Sequence, residues 1–509
     1  MSDKETLEHL SIHKDSFDVK SDVEVQQDQP KLTEEEKSAL VEQLATEYGV
    51  NQKKLMWKVD LNVVPPFCLL YFLAFLDRVN ISNAKIYGME EDLHLTSNQF
   101  SAALTVFFVP YILFEVLSNY TLKIVKPHIW LATLILLFGV VTICMAYSRN
   151  YGGLIVCRLF LGIFEAGTFP SIFYIMANYY CQRESQRRFS FFFSCTCLAG
   201  GCAGALAYRI NDLNGKHGLA SWQWIYIIEG SFTAGLAGFL YFFIPDFPEE
   251  SRFLKQNERD FLKKKLEIYS GNSGFEIKQT WSDVLEVMKE PAIYICALTY
   301  FAFIIPAYSY AFFAPSIIKQ LGYTAMSAQS HSIYPWLASM GFSILTAFVS
   351  DHFYIRVPFA VASGIISIVG FAVVIGIPHN ANAKYGGLFL LASGLYTAMP
   401  ILICWVSLNF SGHTRKSVGT AFVIGVGNTG GIVASFLFPN NDAPKYTMGL
   451  SVGLAFTAFA IVLLLVYCGY LMYMNKKKQS EAYKIAWDQN SEREKIMKGD
   501  LNPDFRYLY

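Results

Sequence analysis

Two acid–base pairs stand inside apolar runs of this chain, where an ionisable side chain is costly and faces a cavity or a partner. One is Arg158 and Glu165, in Arg158-Leu-Phe-Leu-Gly162-Ile-Phe-Glu165. Their seven-residue spacing is two helical turns, about 10 Å of rise, so both side chains fall on nearly one face. Gly162 lies between them on that face and is expected to leave space. A cation and an acid flanking an open patch suit a bound carboxylate and a titrating proton site. The structural alternative is an arginine that packs the fold and pairs with a neighbouring helix. The other pair is adjacent, Asp77-Arg78, followed by Asn80. Asp77, Asn80 and Ala84 share a helical face while Arg78 points about 100° away. At least one of the two therefore meets a polar pathway. An interhelical lock such as Asp77 with Arg158 is the alternative here, and a bridge that breaks on protonation serves both readings. Glu115 and Glu229 are expected in structural pairs near span ends, Glu229 with Arg209.

The elements that must hold these residues are legible in the hydropathy. Of 509 residues, 53% are hydrophobic and only 16% charged, against roughly a quarter charged in soluble proteins. Between charged stretches lie apolar runs of about 20 residues, each long enough for a ~30 Å hydrocarbon layer. Twelve spans are predicted: 61–82, 99–118, 129–147, 151–177, 189–210, 224–244, 291–314, 329–350, 359–377, 386–408, 418–438 and 448–474. The expectation is an all-α membrane protein with twelve transmembrane helices in two six-helix halves, the layout of the major facilitator fold. Residues 1–58 form a largely disordered cytoplasmic tail, with a short helix over 31–48 capped by Thr33. Residues 59–244 and 291–474 form the two bundles, 245–290 a cytoplasmic central loop and 475–509 a cytoplasmic tail. Lys123, Lys126, Arg183, Arg187, Arg188, Arg356, Arg415 and Lys416 fall in loops on the side of both termini, which places that side in the cytoplasm.

Other functions are excluded on composition. A net charge of zero gives nothing to attract nucleic acid. Ten cysteines, mostly inside apolar runs, read as small buried hydrophobes. No His/Asp/Glu cluster with metal spacing and no nucleotide-binding loop occurs, so the chain does not read as an enzyme, and no metal or cofactor is expected. The N-x-S/T triplets at Asn80, Asn119 and Asn409 fall within spans or on the cytoplasmic side and are chance matches.

From about Lys58 the chain resembles the fungal anion:cation symporters of the major facilitator superfamily, which include allantoate, nicotinate, pantothenate and biotin permeases. The resemblance is carried by an ordered set of stretches: Leu76-Asp-Arg-Val-Asn80, Arg158 to Pro170, Trp222-Gln-Trp-Ile-Tyr-Ile-Ile-Glu-Gly230 and Pro245-Asp-Phe-Pro248. Gly427-Asn428-Thr-Gly-Gly431, Asp442-Ala-Pro444 and a terminal Asn502-Pro-Asp-Phe-Arg506-Tyr507 complete it. It implies that Arg78 and Arg158 bind the anionic group, that Asp77 and Glu165 take up protons, and that Asn428 closes over the substrate from the second half. The loop from Glu115 to Trp130 departs from the superfamily's Gly-rich, Asp/Arg-bearing gate.

The function expected from both lines is import of a small organic anion (a vitamin, ureide or other carboxylate) by alternating access. The proton gradient drives it, and a monomer in the plasma membrane carries it out. The rivals are an exporter or exchanger on the same fold and a nutrient-sensing receptor on a transporter scaffold. Tyr308, Tyr310, Tyr334, Trp336, Tyr396 and Trp405 either stack on a ring-bearing substrate or pack the core.

Overall fold

The computed structural model describes residues 34–270, 281–353, 355–377, 379–410, 413–439, 442–443, 445–490, 499–503 and 505–509. Every regular element among them is helical. The bundle helices are α1 (Gln52–Ile86), α2 (Ser97–Ile124), α3 (Pro127–Met145), α4 (Tyr151–Tyr179), α5 (Gln182–Ile210) and α6 (Ser221–Phe243). They continue as α7 (Pro291–Gln320), α8 (Ala325–Phe353), α9 (Val357–Gly376), α10 (Ala381–Asn409), α11 (His413–Asn428, resuming as Gly430–Ala434) and α12 (Thr447–Lys478). Eleven of them are long and apolar enough to cross a membrane. In α11 the apolar stretch is the shorter Val418–Ala434. Its glycines set how closely it packs. A Cβ on Gly427 would fall 2.0 Å from the Tyr300 ring of α7, and one on Gly431 would fall 2.4 Å from the Phe108 ring of α2. This helix trades apolar bulk for close approach.

Local sequence sets the helix ends. Asn51 caps α1 through Lys54 N, Thr96 and Gln99 form a capping box on α2, and Asn150 caps α4 through Gly153 N. Pro127 opens α3 at a position where its missing N–H costs nothing. Helix α4 is interrupted after Glu165 and resumes at Thr168. Pro170 cannot donate to the carbonyl four residues back, which favours this break.

Successive helices alternate in direction, so one end of the bundle carries both chain tails. Helices α1–α6 pack chiefly on one another, as α3 on α6, α2 on α4 and α1 on α5. Helices α7–α12 do likewise, as α9 on α10 and α7 on α12. The sets meet through α5 with α8 and α10, α1 with α7, and α2 with α11. Several of these contacts lie toward the end away from the tails. There Gly200 and Gly204 of α5 admit the Trp336 ring and Ser332 of α8, each of which a Cβ would overlap. Ser82 of α1 donates to the Ala311 carbonyl of α7 at 3.4 Å.

The tails are partly described. Residues 1–33, where disorder and the Thr33 cap are expected, lie outside the described residues. Residues 34–47 are helical, inside the short helix expected over 31–48, and the chain is helical again from 52. The helix Glu34–Glu47 packs on Gln256–Ser270 of the central loop and buries Val41 there. At the other terminus, residues 499–509 dock onto the second helix set. Arg415 clasps Asp500 with Nε–Oδ1 at 2.5 Å and Nη2–Oδ2 at 3.1 Å. The Asn409 side chain exchanges two hydrogen bonds with the Leu508 backbone. Burial pushes the Tyr507 phenol well up from its ordinary value, so it remains a donor to Asp500.

Removing one partner of a buried ion pair typically costs about 3–5 kcal/mol. Glu290 also lies 3.5 Å from Arg415 and survives the change, so Asp500→Asn is expected near the lower end, about 3 kcal/mol. A lower thermal unfolding midpoint of the purified protein checks this; an unchanged midpoint contradicts it.

Candidate functional site

Arg78 stands where the two helix sets face each other. Its Nη2 donates to Glu165 Oε1 of α4, and its Nη1 donates to the Tyr308 hydroxyl of α7 at 2.5 Å. Its guanidinium also lies 5.1 Å from the ring centres of Phe107 and Tyr111, within cation–π range. The ion pair is almost wholly buried. One cation therefore holds an acid of the first set and a phenol of the second.

Beside it lies a small cavity of about 40 Å³, room for water and too small for a ligand until the walls part. Arg78 and Asn428 line it, with Tyr71 and Phe75 of α1, Tyr111 of α2, Thr196 of α5, Tyr300 and Tyr308 of α7 and Tyr396 of α10. Its wall is aromatic, broken by a few hydroxyls, one amide and the guanidinium. Phe75 meets Trp336 edge-on at 6.1 Å, so the α5–α8 contact closes the cavity toward the end away from the tails.

The other predicted site residues sit behind this wall. Asp77, Arg158 and Glu165 are buried, and none lines the cavity. Arg158 has Tyr226, Glu165 and Asp77 as electrostatic neighbours. Asp77 has the Thr142 and Thr233 hydroxyls beside it and Arg158 only as a more distant charge, so the proposed Asp77–Arg158 lock is a proximity of charges without direct contact. Arg158 and Glu165 do not flank an open patch. A Cβ on Gly162 would meet the Phe107 carbonyl oxygen at 2.2 Å and Pro110 at 2.9 Å. The glycine between them serves the α2–α4 crossing and leaves no room for a ligand.

Two further expectations are corrected. Glu229 is 1% exposed, with Asp77 and Asn80 as its neighbours, whereas Arg209 is exposed. Glu115 is buried and its carboxylate has no hydrogen-bond partner among the described residues. The stretch expected as a loop from Glu115 to Trp130 is mostly helix, with only residues 125 and 126 between α2 and α3, and it is tied down by Trp130 Nε1 donating to Ser118, Lys126 to Glu250 at 2.8 Å, and His128 to Asp246 at 2.6 Å.

Of the six aromatic candidates, Tyr308 and Tyr396 line the cavity, and Trp336 and Tyr310 pack directly behind Tyr396. Tyr334 is 55% exposed, and Trp405 is buried with its indole N–H donating to the Leu508 carbonyl. Tyr71, Phe75, Tyr111 and Tyr300 were not anticipated. For two of them a signal existed: Tyr71, Phe75 and Arg78 stand at i, i+4 and i+7, on one helical face.

Among the described residues, no group of three or more His, Cys, Asp or Glu is placed to hold a metal ion.

Residues 67–435 match the model of the Major Facilitator Superfamily. The chain belongs to that superfamily. It is a membrane transporter with the superfamily's fold, and not an enzyme. The MFS transporter prlL of Fungal sp. (strain NRRL 50135) is 33% identical over 430 residues, covering 82% of this chain and 87% of the other. The high-affinity nicotinic acid transporter of Saccharomyces cerevisiae is 29% identical over 465 residues, covering 90% and 85%. The proton:xylose symporter XylE bound to 6-bromo-6-deoxy-D-glucose shares the fold with a TM-score of 0.61 at 13% identity, covering 80% of this chain and 95% of that one.

Overpacking a tight crossing typically costs about 1–3 kcal/mol. Gly162→Ala is therefore expected to lower the thermal midpoint and transport together, by prising α4, and with it Glu165, from α2. Gly238→Ala, at a site with no atom within 4 Å of the new Cβ, is expected to leave both unchanged. Equal behaviour of the two variants contradicts this role for Gly162.

Proposed function

We propose that the chain imports a small organic anion together with protons by alternating access, with Arg78 as the ligand for the anionic group. The observation that carries this reading is the buried bridge from Arg78 to Glu165 at the cavity wall. A carboxylate entering the cavity competes with Glu165 for the same guanidinium. Protonating Glu165 removes that competitor, and deprotonation restores it and expels the substrate. Anion binding and proton uptake are then one event.

The aromatic wall favours a flat or ring-bearing acid, and the relative named as a nicotinic acid transporter agrees in chemical class. Asn428 supplies an amide from the second half. Asp77 and Arg158 act from behind the wall, as a second proton site and as the charge that balances it. In this reading residues 59–244 and 291–474 are the moving halves, and 245–290 and both tails lie in the cytoplasm. The protein works as a monomer in the plasma membrane with no cofactor beyond the proton gradient.

Uptake of labelled nicotinate and a panel of other carboxylates, at acid and mildly alkaline pH with and without a protonophore, tests the proposal. Accumulation at acid pH that collapses with the protonophore is the expected result. Equilibration independent of pH would overturn it. Arg78→Ala is expected to abolish substrate binding. Glu165→Gln, a permanent mimic of the protonated acid, is expected to keep exchange across the membrane while losing acid-driven accumulation. Its sign follows from linkage: anion affinity is present while Glu165 is protonated and lost as pH rises through its titration.

A further inference from the structure

Behind the cavity wall the ionisable groups do not balance. Arg78 is matched by Glu165. Arg158 has Asp77 among its neighbours. Glu229 is left over, and its electrostatic neighbours are Asp77, the Asn80 amide, the Tyr226 hydroxyl and the Cys202 thiol, none of them a cation. Three carboxyl groups and two guanidiniums thus share one buried region. An ionised acid without a partner in such a place is strongly disfavoured.

The geometry makes this arrangement firm. On α6, Gly230 follows Glu229 and packs against the backbone of α3, where a Cβ would fall 2.8 Å from both the Gly139 carbonyl oxygen and Ile143 N. Gly139 in turn lies against Ala234, so the two helices cross at backbone contact. That crossing fixes the direction of Glu229 toward α1. Asp77 and Asn80 stand at i and i+3, on the face that receives it. Glu229 meets the Asn80 amide, and Asp77 meets the Thr142 and Thr233 hydroxyls. From the packed helices the charged or polar groups facing Asp77 are Thr142 of α3, Arg158 and Glu165 of α4, and Tyr226, Glu229 and Thr233 of α6.

We propose that Glu229 carries a proton in the substrate-free protein and shares it with Asp77, so that the pair is the proton store behind the anion site. The proton arrives from water on the acid side and forms one O–H bond on a carboxylate oxygen. Asp77, whose neighbours include both Glu229 and Glu165, passes it toward Glu165 when an anion takes Arg78. The proposal deepens the symport reading by naming where its proton resides, and it rests on that reading only for the direction of transfer.

Infrared spectroscopy of the purified protein at neutral pH tests it without any substrate. Wild type is expected to show a deuteration-sensitive C=O stretch from protonated buried carboxyls, and Glu229→Gln is expected to lose one component of it, any Glu115 component remaining. In Asp77→Asn the Glu229 acid still meets no cation, so that component is expected to persist, shifted in frequency as its neighbour changes. A band unchanged in Glu229→Gln overturns the proposal. Where that variant is not recovered folded, loss of the component in Asp77→Asn does so, because the proton then belongs to Asp77. The two readings fail separately: proton-driven uptake with a band unchanged in Glu229→Gln sinks this inference alone, and loss of the component in Glu229→Gln with pH-independent uptake sinks symport alone.

Discussion

Everything in the centre of this molecule depends on one buried guanidinium having two claimants. Arg78 cannot be left without an anion, because an unpaired charge in the bundle is far costlier than a paired one. In this structure Glu165 satisfies it, and Tyr308 adds a phenol from the other half. Any substrate that binds must offer an equivalent negative group, and the displaced carboxylate must be neutralised. The same constraint sets selectivity for an acid, links it to protons and ties the two halves together through one side chain.

Close backbone approach is what keeps that side chain in place. Glycines at 162, 200, 204, 427 and 431 each stand where a Cβ would strike a neighbouring helix or ring. Those at 200 and 204 close the end away from the tails, and those at 427 and 431 seat α11 against α7 and α2. Van der Waals packing between small residues is the main source of helix association in lipid, where no hydrophobic effect operates between helices. The crossings at 162 and 427 lie within a half, whereas those at 200, 204 and 431 join the halves, with α5 on α8 the most extensive contact between them.

Much of this was legible in the sequence. Hydropathy located the spans, because the need to satisfy backbone groups in lipid makes every span a helix. Arg78 and Asn428 were found at the cavity because an ionisable or amide group in an apolar run has few other places to go. Pairing was less legible. Spacing puts Arg158 and Glu165 on one face, but which partner each meets depends on how α4 crosses α2 and α1, and Gly162 was misread as space for that reason. Glu229 was placed too near a boundary: α6 begins at Ser221, so the residue lies about 12 Å along the helix, well inside the bundle. The docking of residues 499–509 had no periodic signal at all, since it rests on separate contacts to Asn409, Arg415 and Lys478.

The central claim is that an anion and the Glu165 carboxylate exchange places on Arg78. The direct measurement is the pH change of a weakly buffered solution of the purified protein when a carboxylate that it transports is added. The account predicts alkalinisation, as the proton that Glu165 gains on anion binding is made good from solution, and its absence when Glu165 is replaced by Gln. Binding of the anion by the wild-type protein with no proton uptake would contradict it.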